Sequence, residues 1–193
     1  MALVKKTFTL GLDDCKIYPI LSDTEAEYTV GTGIDVPTVQ SINIEFEVDE
    51  KELFGDEQVR DMYSKAKKVQ WSIECGELDL DVQAALMGGS VKASGESPNQ
   101  QQRYGYTLGA LNNYVQIAGK ISYTDELNDV GDLHIHILKA KVNKNSFSEA
   151  SDEYGTVSFG GNGINTTYNF PDGRALYYTI NETGSELEPV VSE

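Results

Sequence analysis

Strict alternation of apolar and polar residues over residues 41–49 constrains the fold of this chain more than any other feature. The apolar members are Ile42, Ile44, Phe46 and Val48. Successive side chains of a strand point to opposite faces, whereas a helix would spread the same residues around its circumference. The segment is therefore predicted to be a β-strand with one buried face and one solvated face.

A second alternating segment, residues 69–75, is predicted to be a matching strand. Its expected inward residues are Val69, Trp71, Ile73 and Cys75. The expected solvated residues of the two strands are polar and mostly acidic, namely Glu45, Glu47, Asp49, Gln70, Ser72 and Glu74. The pair predicts a sheet with one apolar face and one wet, acidic face.

Further β-prone stretches recur along the chain, and one of them contains a change of phase. They are residues 15–21, 90–95, 103–108, 113–123, 133–142, 156–159 and 175–180, and Gly160-Gly-Asn-Gly is expected to separate the last two strands. In the 133–142 strand the expected inward set begins as Leu133, Ile135 and Ile137 but continues as Leu138, Ala140 and Val142. This slip of one residue near Ile137 predicts a β-bulge. Many short strands predict a mainly β chain, built as an antiparallel β-sandwich or partly closed barrel.

A single flanking α-helix is predicted over residues 78–88. Asp79 is a suitable N-cap, and Gly88 is a suitable C-terminal stop. The expected buried stripe consists of Val82, Ala85 and Leu86. The helix is the only strongly helical pattern in the chain, so it is expected to cover part of the sheet.

The domain organisation is predicted to be one β domain over residues 1–180, because the length suffices for one sizeable core but not for two. Residues 22–38 are expected to form a long loop or arm. Residues 50–66 are expected to be a charged excursion, with a helical turn within 59–68. Residues 181–193 are predicted to be an acidic, mobile C-terminal tail.

Charge and the N-terminal sequence restrict the class of protein. With 31 acidic and 15 basic residues, the formal net charge is −16, which argues against ordinary nucleic-acid binding through clustered cations. No apolar run approaches the ~20 residues that span a bilayer, and the N-terminus lacks a signal-peptide core. Cys15 and Cys75 are expected to be free thiols, with a disulfide as the alternative.

Catalytic and metal-binding motifs are sparse. His134 and His136 share one face of a predicted strand, which is a spacing found in zinc sites. We favour a pair of exposed or lumen-facing histidines, because a third ligand would have to be a carboxylate. The acidic run 125–132 is more typical of a solvated hairpin than of a calcium loop. No phosphate-binding loop, Ser elbow or Cys/His nucleophile pattern is found, so we expect no enzyme and no cofactor.

The order of these segments resembles the major tail tube proteins of long-tailed bacteriophages, over about residues 8–180. The resemblance begins with the strand Gly11-Leu-Asp-Asp-Cys-Lys-Ile-Tyr-Pro-Ile-Leu and the strand 42–48 running into Glu52-Leu-Phe-Gly-Asp-Glu. It continues through the Trp71 strand, the Gly76-Glu-Leu-Asp turn and the helix to Gly88-Gly89. Arg103-Tyr-Gly-Tyr and the paired strands over 113–142 follow in the same order.

This resemblance implies a structural virion protein of the phage tail, made in the bacterial host cytoplasm. Its expected partner is itself, in hexameric rings that stack into a tube. The tape-measure protein would occupy the lumen, and tail terminator and tail-tip or baseplate proteins would bind the tube. Double-stranded DNA would transit without specific binding, and no membrane partner is expected. The acidic face, with Glu45, Glu47, Asp49, Gln70, Ser72 and Glu74, is the candidate lumen lining.

Inter-ring contacts are expected from the 22–38 and 51–63 segments. The candidate contact residues are Glu27, Tyr28, Val30, Leu53, Phe54 and Asp56. Two alternatives remain at this point. One is a carbohydrate-binding β-sandwich that uses exposed tyrosines, namely Tyr104, Tyr106, Tyr177 and Tyr178. The other is a different virion component on a similar fold, such as a tail terminator, baseplate or decoration protein.

Overall fold

A computed structural model describes residues 8–55, 58–125, 128–150 and 153–192. Its elements, in chain order, are β1 Phe8–Asp23, β2 Tyr28–Val30, β3 Ile34–Asp35, β4 Val39–Gly55, β5 Gln58–Cys75, α1 Leu80–Met87, β6 Ser90–Ser94, β7 Gln101–Gly105, β8 Tyr114–Asp125, β9 Asn128–Ala150, β10 Glu153–Gly163 and β11 Leu176–Asn181. The expectation of a mainly β chain with one helix is confirmed.

The strands form one large sheet and one separate hairpin. Hydrogen-bonded neighbours in the large sheet follow the order β2-β1-β8-β9-β10-β5-β4, with β3 also paired to β1 and β11 also paired to β9. β6 and β7 pair only with each other within the described chain. Every pairing is antiparallel.

The main core lies on one face of this sheet, and helix α1 packs into it. Strands β1, β5, β8, β9 and β10 all contribute to one cluster, so the sheet must curve around it. The cluster consists of Cys15, Ile17, Val36, Trp71, Ile73, Cys75, Val82, Ala85, Leu86, Val115, Ile117, Ile137, Ala140, Val142, Val157 and Phe159. Both cysteines are free and buried, in agreement with the favoured expectation.

A second layer covers the opposite face of the β1–β8–β9 region. It consists of β2, the 164–175 segment and the C-terminal residues 182–192, which bury Tyr28, Leu138 and Phe170 in one cluster and Tyr18 and Leu187 in another. The Tyr28 hydroxyl donates a hydrogen bond to the Leu138 carbonyl. This part of the sheet is therefore buried on both faces.

Helix α1 has the predicted capping and burial. The Asp79 carboxylate accepts hydrogen bonds from the N–H groups of Asp81 (2.7 Å) and Val82 (3.1 Å), which satisfies two donors of the first turn. The helix ends at Gly88, where φ is 78°. The buried stripe consists of Val82, Ala85 and Leu86, as predicted. These caps fix both ends of a helix of only eight residues.

The predicted bulge in the 133–142 strand is confirmed in β9. Val115 of β8 pairs with Ala140 and Ile117 pairs with Ile137, so an advance of two residues along β8 matches an advance of three residues along β9. Ile137 and Ala140 therefore both face the main core, although residues three apart in a regular strand would face opposite sides. Leu138, which was expected to face inward, instead packs in the second layer.

Three segments differ locally from the prediction. Residues 59–68 form no helical turn but belong to β5, because pairing with β4 satisfies their backbone. The 22–38 segment, expected as a long loop or arm, contains two short strands, β2 and β3, that fold back onto β1. The Gly160-Gly-Asn-Gly sequence lies inside β10 and pairs with both β5 and β9, instead of forming a connection.

The N-cap can be tested by replacing Asp79 with Ala. Loss of the two backbone hydrogen bonds is expected to lower the free energy of unfolding by about 1 kcal/mol. Denaturant unfolding would measure the change, with Asp81→Ala as the control, because Asp81 contributes a backbone N–H to the cap but no capping side chain. Equal stability of the two variants would contradict the assignment.

Candidate functional site: an assembly surface

The hairpin of β4 and β5 extends far beyond the rest of the sheet. β10 pairs with β5 only from Val69 to Cys75, whereas β4 pairs with β5 from Val39↔Cys75 to Gly55↔Gln58. Within the described chain, residues 46–55 therefore pair only with β5, and residues 58–68 pair only with β4; we call these two stretches the hairpin arm. Ten residues of strand reach about 33 Å.

The hairpin arm carries an unusual amount of exposed apolar surface. Of the sixteen large apolar side chains that are exposed in the described chain, six lie on it. They are Phe46 (53% exposed), Val48 (43%), Leu53 (63%), Phe54 (67%), Met62 (57%) and Tyr63 (55%). The predicted burial of Phe46 and Val48 is wrong, because the strand continues past the end of the core. A concentration of this kind is typical of an interaction surface.

The six residues predicted to share one solvated face do lie on one face of the β4–β5 pair. Glu45 is the cross-strand partner of Gln70, and Ser72 and Glu74 pair with Asn43 and Ser41. Glu47 and Asp49 follow Glu45 at alternate positions of β4, which places them on the same side. The sequence pattern therefore identified this surface correctly.

This face is close to charge balance rather than strongly acidic. Lys68 Nζ lies 3.0 Å from the Glu47 carboxylate, and Lys67 Nζ lies 3.0 Å from the Asp49 carboxylate. Gln70 also donates to Glu47 at 2.7 Å. The hydrogen bonds from Lys68 and Gln70 hold the pKa of Glu47 below its usual value. Sequence reasoning missed these lysines because it assigned 59–68 to a helical turn.

Strands β10 and β9 extend the same face to four strands, in the order β4-β5-β10-β9. Gly160 pairs with both Ser72 and Lys144, so these residues lie side by side across three strands. A shallow groove of about 300 Å³ lies over Gly160 and Gly161, where β10 has no side chains. We call this surface, which begins at Ser41 on β4 and ends at Lys144 on β9, the polar face.

The two outer strands of the polar face both have a free edge. β4 is the last strand in the order, so its outer edge has no strand partner within the described chain. β9 loses its other neighbour where β8 begins, at Tyr114↔Lys141, and residues 143–150 are then paired only with β10 in that part of the structure. Unpaired edges of this length invite pairing with another chain.

The C-terminal residues 182–192, here called the C-terminal strap, pack across the second layer. Gln116, which is fully buried, donates to the Val190 carbonyl and accepts from its N–H, each at 2.9 Å. The Tyr18 hydroxyl donates to the Leu187 carbonyl at 2.6 Å. The acidic tail that we expected to be mobile is thus held against the sheet up to Ser192, which bonds to the backbone of Tyr28.

His134 and His136 lie beneath this strap and are 3% exposed each, so the expectation of exposed or lumen-facing histidines is wrong. His134 contacts Asn181 (2.8 Å) and Ser185 (3.2 Å) through its two ring nitrogens. Burial, reinforced by the charge of His134, lowers the pKa of His136 to about 4. Within the described residues, no group of three or more His, Cys, Asp or Glu side chains is arranged to hold a metal ion.

The candidate inter-ring residues have different environments. Leu53 and Phe54 are exposed on the hairpin arm, and Glu27 is exposed beside β2. Tyr28 is fully buried, so its side chain is not available for an inter-ring contact, and Val30 is half-buried against the same layer. Asp56 lies outside the described residues.

The tyrosines of the carbohydrate-binding alternative do not form a common platform. The Tyr104 hydroxyl donates to Gly88, and the Tyr106 hydroxyl donates to the Ala110 carbonyl. Tyr177 packs edge-on against Phe170 in the second layer. Tyr178 is exposed, but it follows Tyr177 directly in β11, so the two side chains point to opposite faces of the strand.

Comparison with known proteins does not assign the chain to a family. No protein-family model matches the chain, and no curated protein matches its sequence. In the described part of the chain, no helix is long and apolar enough to cross a membrane.

The buried histidine predicts a specific pH dependence of stability. Because the pKa of His136 is about 4 in the folded chain and 6.5 in the reference state, the folded protein binds fewer protons between these values. Stability should therefore fall as the pH drops from 6.5 to 4, by about 3 kcal/mol from this group. His136→Gln should flatten this part of the curve, measured by denaturant unfolding at several pH values. If the curves of stability against pH for the variant and the wild type ran parallel, the prediction would be contradicted.

Proposed function

We propose that this protein is a self-assembling structural subunit that forms rings and stacks them into a tube, as the resemblance to phage tail tube proteins implies. The observation that supports it best is the pair of free edges that bound the polar face. A four-stranded sheet with two open edges and one solvated face is suited to lateral joining.

The strand count favours head-to-tail ring closure. The four strands β4, β5, β10 and β9 alternate in direction, so β4 of one copy and β9 of the next would meet antiparallel. Each subunit, itself a sandwich or partly closed barrel, would thereby contribute these four strands as one wall of a larger barrel. Main-chain hydrogen bonds would form the contact, and the polar face would line the lumen.

The dimensions of such a ring suit a conduit. Six copies with four strands each give 24 strands. With strands about 4.8 Å apart and tilted by about 40°, the barrel would measure about 50 Å between opposite backbones. That space would admit the tape-measure protein and, during ejection, double-stranded DNA. Terminator and tail-tip or baseplate proteins would bind the two ends of the tube in the virion.

The charge balance of the polar face fits transit without binding. Lys67 and Lys68 are paired with Asp49 and Glu47, which offsets their positive charge and lowers their attraction for DNA phosphates. Glu45 and Glu74 lie on the same face and disfavour phosphate contact. The lumen would therefore be neutral to weakly acidic.

Assembly can be tested directly with purified protein. Negative-stain electron microscopy and size-exclusion chromatography over a concentration series should show rings or tubes with a central pore. If the protein stayed monomeric at every concentration, even when preformed tail ends from a lysate were added as seeds for assembly, the proposal would be overturned.

Ring closure through β9 can be tested with two neighbouring proline variants. Alternate residues of a strand direct their N–H groups to opposite edges, so only one of Asn145→Pro and Ser146→Pro removes a bond to β10. That variant should lose thermal stability. The other should keep the wild-type melting temperature within about 3 °C and yet fail to form rings. Rings from the stable variant would contradict pairing at this edge.

The lumen assignment can be tested by reversing two charges. Glu45→Lys together with Glu74→Lys should leave assembly intact but make the polar face cationic. Assembled variant tubes should then retain short duplex DNA in co-sedimentation at low salt, and lose it as salt rises, whereas wild-type tubes should not retain it. Glu182→Lys with Glu186→Lys, which changes two exposed acids of the C-terminal strap by the same charge, serves as the control. Equal retention by the two variants would remove the lumen claim.

A further inference from the structure

The turn segment Tyr106–Asn113 is the most exposed apolar feature outside the hairpin arm. Leu108 is 92% exposed and Leu111 is 82% exposed, the two highest values among large apolar side chains in the described chain. We propose that this turn segment is the docking site for the distal hairpin arm of another copy of the chain. The proposal rests on the proposed function and names the surface that receives the arm when rings stack.

The turn segment is held in one shape, unlike an ordinary loop tip. The Ala110 N–H donates to the Thr107 carbonyl at 3.1 Å, which closes a turn with Leu108 and Gly109 at its centre. Gly109 has φ of 91°, a conformation that favours glycine. The Tyr106 hydroxyl also donates to Ala110, across the turn. Leu108 is therefore presented at the apex of a preorganised turn.

Side-chain amides anchor this turn segment to the body of the protein. Asn112 donates to the Val142 carbonyl at 2.8 Å, and Asn113 donates to the Ala85 carbonyl at 3.0 Å. The first bond ties the segment to β9, and the second ties it to the C-terminal part of helix α1. A rigid site loses little conformational entropy when a partner binds.

The hairpin arm of the same molecule cannot fill this site. The arm forms one end of β5, at Gln58, whereas helix α1 follows the other end, at Cys75. Seventeen steps of strand separate these residues by about 56 Å. Because Asn113 joins the turn segment to α1, the two apolar surfaces lie at opposite ends of the molecule. Their contact would be head-to-tail, and repeating it would extend a stack of copies.

The charges of the two surfaces are complementary. The described residues of the distal arm, 50–55 and 58–62, contain three acidic and two basic residues. Residues 88–113, which include the turn segment, contain two basic residues and one acidic residue in a chain whose net charge is −16. The two cations, Lys92 and Arg103, are cross-strand partners in the β6–β7 hairpin. Like charges placed opposite each other destabilise a hairpin, and an acidic partner would relieve this repulsion.

Disulfide trapping between two variants tests the contact. Leu108→Cys and Phe54→Cys would be prepared separately, mixed at the concentration at which assemblies form, or at the highest soluble concentration, and oxidised. Cys15 and Cys75 are buried and stay unreactive. A band of twice the subunit mass is expected in the mixture but not in either variant alone. Leu21→Cys mixed with Phe54→Cys is the control, because Leu21 is 72% exposed outside both surfaces.

The outcomes separate this inference from the proposed function. Absence of the mixed disulfide overturns the docking site, whether or not rings form. Self-linking of Phe54→Cys alone would also overturn it, in favour of arm-to-arm contact. The Leu108→Ser, Leu111→Ser double variant should still form single rings but reduce tubes at least tenfold by sedimentation, whereas Leu21→Ser should not. Loss of the rings themselves would count against the docking site. Lateral ring closure would then be tested by the proline variants alone.

Discussion

The unequal pairing of β5 on its two sides determines most of what this structure offers to a partner. β4 covers β5 along its whole length, but β10 covers only Val69–Cys75. Where both neighbours are present, Trp71, Ile73 and Cys75 are buried in the main core. From the last β10–β5 pair onward, the same apolar alternation continues into solvent as Phe46 and Val48. The arm is thus the extension of a core strand beyond its core.

Sequence periodicity predicted the elements whose pattern is local. The Ile42–Val48 alternation identified β4 and its solvated face. The capping residues Asp79 and Gly88 of α1 were identified, and the helix bounds were predicted to within two residues. The bulge in β9 was also visible, because a phase slip in hydrophobicity has one simple cause. Each of these features depends on residues that are close together in the chain.

Features that depend on distant partners could not be predicted. The lysines that neutralise Glu47 and Asp49 arrive from β5, and only the register of the hairpin reveals them. The C-terminal strap looks like a mobile acidic tail in sequence, but buried Gln116 and Tyr18 bind its backbone from far away in the chain. His134 and His136 are buried by that same strap, so their exposure could not be deduced from the strand that carries them.

In the proposed assembly, edges and ends would have different roles. Main-chain pairing between β4 and β9 would join copies laterally, but polar strands specify register weakly, and a slip of two residues restores the same pattern of hydrogen bonds. An apolar contact at one defined place per copy, such as Phe54 against Leu108, would distinguish one axial offset from the others. Eight of the sixteen exposed large apolar side chains of the described chain lie on the arm and the turn segment, where they would set the axial register.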